Sequence, residues 1–114
     1  MIRFAKELSV PEGSGRVKII GGVPVMVLRH KGQLHAYVAI CDHKYYVLCE
    51  RSVRDKIVCP GHGEMFSSET GEPSQGKAKS PLRRLRLEVR EGEIWVEVPS
   101  REVLEELIKN TSGE

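Results

Sequence analysis

Residues 41–63 read CDHKYYVLCERSVRDKIVCPGHG and hold two matched pairs of metal-type donors, Cys41-x-His43 and Cys59-x-x-His62. The chain has four histidines and three cysteines, so this one stretch gathers half of the histidines. Deprotonated thiolate and neutral imidazole are both transition-metal ligands. Spacings of i, i+2 and i, i+3 let a tight loop aim two ligands into one cavity. Pro60, Gly61 and Gly63 supply the turn chemistry the second loop needs. Glycine also lets backbone N–H groups approach a negatively charged sulfur without obstruction. Fifteen residues lie between His43 and Cys59, enough for the chain to leave the site and return. The chemistry indicated is metal binding. A structural zinc site is one reading, since two cysteines and two histidines make a tetrahedral set. Zinc fingers, however, pair cysteine with cysteine and histidine with histidine, whereas each loop here has one of each.

The pattern C-x-H, fifteen residues, then C-P-x-H-G resembles the Rieske [2Fe–2S] motif, and the likeness extends loosely over residues 2–98. The resemblance implies one [2Fe–2S] cluster per chain, with Cys41 and Cys59 on one iron and His43 and His62 on the other. Each loop then gives one ligand to each iron. Two ferric ions, two sulfides and two thiolates sum to zero charge when both imidazoles are neutral, and a neutral group is cheaper to bury. The family's third, shielding loop corresponds to SQGKAKSPL (74–82); Gly76 and Pro81 fit it, while Lys77 stands where a proline is common.

Rieske subunits of respiratory cytochrome complexes have an extra cysteine in each loop, joined as a disulfide. Those positions are Tyr46 and Gly61 here. The same high-potential proteins place a serine and a tyrosine after the second loop, where this chain has Glu64 and Phe66. The resemblance therefore implies a low-potential, soluble ferredoxin. Its role would be one-electron transfer from a reductase to an oxygenase or other redox enzyme, without catalysis of its own. The alternatives are a zinc-stabilised interaction module, or a Rieske-type small subunit of a nitrite reductase or oxygenase complex.

Strands must position these loops. RVKII (16–20), VPVMVLRH (23–30) and LHAYVAI (34–40) are rich in β-branched residues and are separated by Gly21-Gly22 and Lys31-Gly32. KIVC (56–59) and EMFS (64–67) are short strands flanking the second donor pair. LRLEVREGEIWVEV (85–98) reads as a hairpin turning at Glu91-Gly92, with Leu85, Leu87 and Val89 on one face. SREVLEELIKN (100–110) places Val103, Leu104, Leu107 and Ile108 on one helical stripe after a Ser100 N-cap. The expected fold is all-β, a mainly antiparallel sandwich or small barrel with a cluster-binding subdomain, plus a short C-terminal helix. The expected domain covers 1–99, with 100–114 as a helical extension.

The 114 residues suit one domain. Lys and Arg total 18 and Asp and Glu 16, so the balance demands neither a nucleic-acid nor a membrane partner. No apolar run approaches the roughly 20 residues of a membrane span, and the start MIRFAKELSVPEG is charged where a signal peptide is apolar. Both point to the cytoplasm. Cys49 matches no ligand position and reads as a buried structural thiol. His30 and His35 flank a turn and read as surface residues. The basic stretch Lys77, Lys79, Arg83, Arg84, Arg86 and Arg90 reads as a solvated strand face without aromatic residues to stack bases. With Lys44, the lysines Lys77 and Lys79 could also steer an acidic redox partner.

Overall fold

The computed structural model describes residues 1–40, 56–58, 65–75 and 82–100. Ten strands are described in chain order: β1 Ile2–Lys6, β2 Gly15–Ile20, β3 Val23–His30, β4 Gln33–Val38, β5 Lys56–Val58, β6 Met65–Ser67, β7 Pro73–Gln75, β8 Arg84–Leu85, β9 Leu87–Arg90 and β10 Glu93–Val96. All described pairings are antiparallel and form three sheets, ordered β2-β3-β4-β8, β1-β10-β9 and β5-β6-β7. One turn of 3-10 helix, Glu7–Ser9, follows β1.

Three two-residue turns set the register. Ile20 pairs with Val23, His30 with Gln33, and Arg90 with Glu93. Both residues inside each turn have positive φ: Gly21 and Gly22, Lys31 and Gly32, Glu91 and Gly92. That is the backbone whose twist matches a hairpin. Lys31 adopts it without being glycine, and the Glu12 carboxylate holds the turn by accepting the Lys31 and Gly32 amides at 2.8 and 2.7 Å.

β3 explains the continuous apolar run VPVMVL. Val23, Val25 and Val27 enter one hydrophobic cluster with Phe4, Ala36, Val38, Leu85, Ile94 and Val96, between the sheets. Met26 and Leu28 point the other way, into a second cluster with Tyr37, Ala39, Ile57, Phe66 and Leu82. A strand buried on both faces loses the apolar–polar alternation of a half-exposed one. β4 divides similarly: Ala36 and Val38 face the first cluster, Tyr37 the second.

The strands expected at 16–20 and 23–30 are present, and the hairpin turns at Glu91-Gly92. Those expected at 34–40, 56–59 and 64–67 are described over Gln33–Val38, Lys56–Val58 and Met65–Ser67, with Cys59 and Glu64 outside the described residues. Two strands were not expected. β1 hides its pairing because charged Arg3 and Lys6 flank buried Phe4 and Ala5. β7 begins with a proline, which reads as a strand breaker, yet it lies at a sheet edge where proline is tolerated. Leu85 is buried and Leu87 half-buried, but Val89 is 46% exposed. The chain leaves one sheet at Leu85 and joins the next at Leu87, so Val89 falls on an edge strand beyond the core. The helix expected over 100–110 lies outside the described residues beyond Ser100.

Candidate metal centre

The four donors Cys41, His43, Cys59 and His62 lie outside the described residues, as do Cys49, Glu64, Lys44, Lys77 and Lys79. The strands that lead into and out of the two donor segments are described. Ala39 stands two residues before Cys41, Ile57 two before Cys59 and Phe66 four after His62. All three belong to the second hydrophobic cluster. Val58 pairs with Met65, so the segment containing Cys59 and His62 starts and ends on neighbouring strands. The fold thus brings the approaches to both donor pairs to one core.

The β6–β7 turn is braced against the four-stranded sheet. The Tyr37 hydroxyl donates to the Ser68 carbonyl at 2.9 Å. Burial pushes the Tyr37 phenol up to about 12. The Leu82 amide donates to the Gly71 carbonyl at 2.8 Å, and the Gly71 amide to the Ser67 carbonyl at 2.8 Å. Glu69 meets His30 and Lys31 at 3.4 and 3.2 Å, and Arg84 donates to the Glu69 carbonyl at 3.3 Å. The Lys31 ammonium beside Glu69 holds its carboxyl below the usual range. Gly71 must be glycine on two counts. Its φ is +78°, and a Cβ there would lie 2.8 Å from the Tyr37 ring.

His35 departs from the surface position expected of it. Alternation along β4 puts it on the Tyr37 face, where it is 6% exposed and stacks at 6.5 Å on the Tyr37 ring. Arg84 Nη2 lies 3.1 Å from its Nδ1. Arginine only donates, so Nδ1 accepts and the proton sits on Nε2. Among the described residues that buried Nε2 has no partner. Burial first, then Arg84, lower the His35 pKa. His30 is half-buried. The four described residues of the basic stretch, Arg83, Arg84, Arg86 and Arg90, are all exposed.

Sequence reasoning missed Tyr37 and Gly71 as the joint behind the site. The visible signal was a single Tyr inside an apolar strand, whose hydroxyl needs a buried partner. Phe66 is fully buried on β6.

Among the described residues no group of three or more His, Cys, Asp or Glu could hold a metal, and no helix is long and apolar enough to cross a membrane. The donor set in the sequence, two thiolates and two imidazoles, fits a cluster with one sulfur-ligated and one nitrogen-ligated iron.

Residues 1–90 match the family model described as the Rieske [2Fe-2S] domain. The chain is 37% identical over 82 residues to ferredoxin CarAc of Metapseudomonas resinovorans, covering 71% of this chain and 77% of the relative. It is 30% identical over 103 residues to the cytochrome b6-f complex iron-sulfur subunit of Chlorobaculum tepidum, covering 85% of this chain; the chain spans 56% of that subunit's length. A solved complex of reduced oxygenase and oxidized ferredoxin in carbazole 1,9a-dioxygenase contains a chain that superposes with a TM-score of 0.74 at 30% identity, covering 83% of this chain and 90% of the other. The chain therefore belongs to the Rieske [2Fe-2S] domain family, and the cofactor it is built around is a single [2Fe–2S] cluster.

Proposed function

We propose that the chain is a one-electron carrier of the ferredoxin type, working in the cytoplasm between a reductase and an oxygenase or other redox enzyme. Cys41 and Cys59 would hold one iron, and His43 and His62 the other. The observation that carries this reading is the shared core of Ala39, Ile57 and Phe66, which joins the approaches to both donor pairs. When bound, the cluster supplies a group that takes up and releases one electron. The chain's own residues bind and shield it. Cys41 and Cys59 give thiolate charge, and His43 and His62 give neutral nitrogen. Fully buried Ile57 and Phe66 keep water from the core at the approaches to the donor segments, and the Tyr37–Ser68 and Leu82–Gly71 bonds fix the small sheet to its scaffold.

Likeness to a dioxygenase-system ferredoxin supports an oxygenase as acceptor. Likeness to the cytochrome b6-f subunit favours a second reading, a high-potential role. Tyr46 and Gly61 at the disulfide positions, and Glu64 and Phe66 at the hydroxyl positions, weigh for the low-potential carrier. The carrier domain would end near residue 99, with 100–114 as an extension.

Metal analysis of the purified protein tests the assignment. The expected result is two irons and two acid-labile sulfides per chain, with loss of both in Cys41→Ala or Cys59→Ala. One zinc without labile sulfide would overturn it.

A further inference from the structure

We infer that the arginine edge at β8 is the docking surface for the acidic face of a redox protein, an inference that rests on the carrier reading above. Arg83, Arg84 and Arg86 are exposed within a four-residue stretch of chain, and Arg90 follows on β9. Arg83, Arg84 and Arg86 line one side of a groove completed by Glu97, Val98 and Pro99. The carboxylates near these four guanidiniums are Glu97 across the groove, Glu69 in the cleft it shares with Arg84, and Glu88. Glu88 is shared between Arg86 at 3.4 Å and Arg90 at 2.5 Å. The edge is therefore left with net positive charge.

Register places this charge against the end of β4, a few residues of chain before the first proposed donor. The Val38 amide donates to the Arg83 carbonyl at 2.9 Å, and Arg84 pairs with Tyr37. Arg83 thus lies opposite the β4 residue three positions before Cys41. Three residues of chain span at most about 10 Å. That is comparable with the distance of about 8 Å over which charge acts at physiological salt. Leu82, next to Arg83, packs in the same cluster as Ala39, Ile57 and Phe66. A partner bound at this edge would sit near the electron's exit.

The chemistry selects carboxylates on a protein. Guanidinium forks bind carboxylates bidentately. Arg84 is already oriented by His35 and the Glu69 carbonyl, so little freedom is lost on docking. No aromatic platform accompanies the arginines on β8, as single-stranded nucleic acid would need.

Charged small-molecule oxidants test the edge without a known partner. The dithionite-reduced holoprotein gives one electron to ferricyanide, forming ferrocyanide, or to the cation tris(phenanthroline)cobalt(III), forming its cobalt(II) state. Rates are followed by stopped flow at low and high NaCl. Wild type should react with ferricyanide roughly tenfold more slowly at high salt. Arg83→Glu/Arg86→Glu should lose most of that dependence and react faster with the cobalt complex, the rates being compared after correction for the measured reduction potential of each protein. A hexaglutamate peptide should slow the wild type's reaction with ferricyanide and leave the variant's unchanged. The milder Arg83→Gln/Arg86→Gln pair gives the same reading if charge reversal prevents folding. Equal salt dependence in wild type and both variants, with the cluster intact, would overturn the docking surface alone. Failure to take up one electron would overturn the carrier reading instead. Sedimentation with phosphatidylserine vesicles that hexaglutamate does not reverse would reassign the edge to a lipid surface.

Discussion

On one face of β3 and β4, Val23, Val25, Val27, Ala36 and Val38 meet residues of β1, β8 and β10. On the other face, Met26, Leu28 and Tyr37 meet Ile57 and Phe66 of the small β5-β6-β7 sheet. The first core has an eight-residue central strand and partners from both larger sheets. The second rests on three-residue strands, with Ile57 and Phe66 as the small sheet's fully buried apolar residues among those described. Most of its cluster is lent by the larger scaffold. Short strands with so little core of their own do not stay folded alone. The scaffold should keep its shape without metal, whereas the small sheet should need that borrowed face, the joint at Tyr37 and Gly71, and the proposed cluster.

The largest break in this comparison comes from removing the metal. Cys59→Ala should abolish iron binding. In amide exchange Ile57, Phe66 and Ser67 should lose protection, while Val25, Val27 and Ala36 keep it. Equal loss on both sides would show one cooperative unit. Next come the two cores themselves. Phe4→Ala in the larger core should cost about 3–5 kcal/mol and Ile57→Ala in the smaller about 2–5 kcal/mol by denaturant unfolding. The distinguishing sign is cluster lifetime during incubation with a chelator. Ile57→Ala should shorten it, and Phe4→Ala, under conditions where it remains folded, should not.

The joint is a smaller lever. Gly71→Ala puts a side chain at φ +78° against the Tyr37 ring, and should cost about 1–3 kcal/mol. Smallest is Tyr37→Phe, which deletes the hydrogen bond to Ser68 for about 0.5–1.5 kcal/mol. It also changes the alkaline limb. An unfolded tyrosine titrates near 10 and Tyr37 near 12, so the folded state holds this proton more tightly. The resulting stability is complete below pH 10 and declines as pH rises towards 12. Urea midpoints measured across that window should fall less steeply in Tyr37→Phe than in wild type. Identical slopes would place the alkaline sensitivity elsewhere.

Much of this was legible in residue order. The three hairpin turns announced themselves through glycine after Gly21, Lys31 and Glu91, because that backbone excludes most other residues. The donor pairs were legible because cysteine and histidine at such spacings do little else. What stayed hidden depends on three dimensions. VPVMVL shows that β3 is buried on both sides, yet not that its two faces serve different cores. His35 looks like a turn-flanking surface residue until β4 alternation sets it beside Tyr37. Gly71 reads as one turn glycine among several; the Tyr37 ring that makes it irreplaceable comes from 34 positions earlier in the chain. The arginine run was visible, while its register against the last residues of β4 was not.

A redox titration of the purified protein, monitored by its visible absorption, tests the central claim most directly. A low-potential carrier with histidine ligation should take up one electron per chain, at a midpoint near the lower end of the Rieske range, about −150 mV. A midpoint near the upper end, about +300 mV, would contradict the ferredoxin assignment and favour the cytochrome b6-f likeness. Absence of any one-electron transition in a metal-loaded sample would contradict the carrier role altogether.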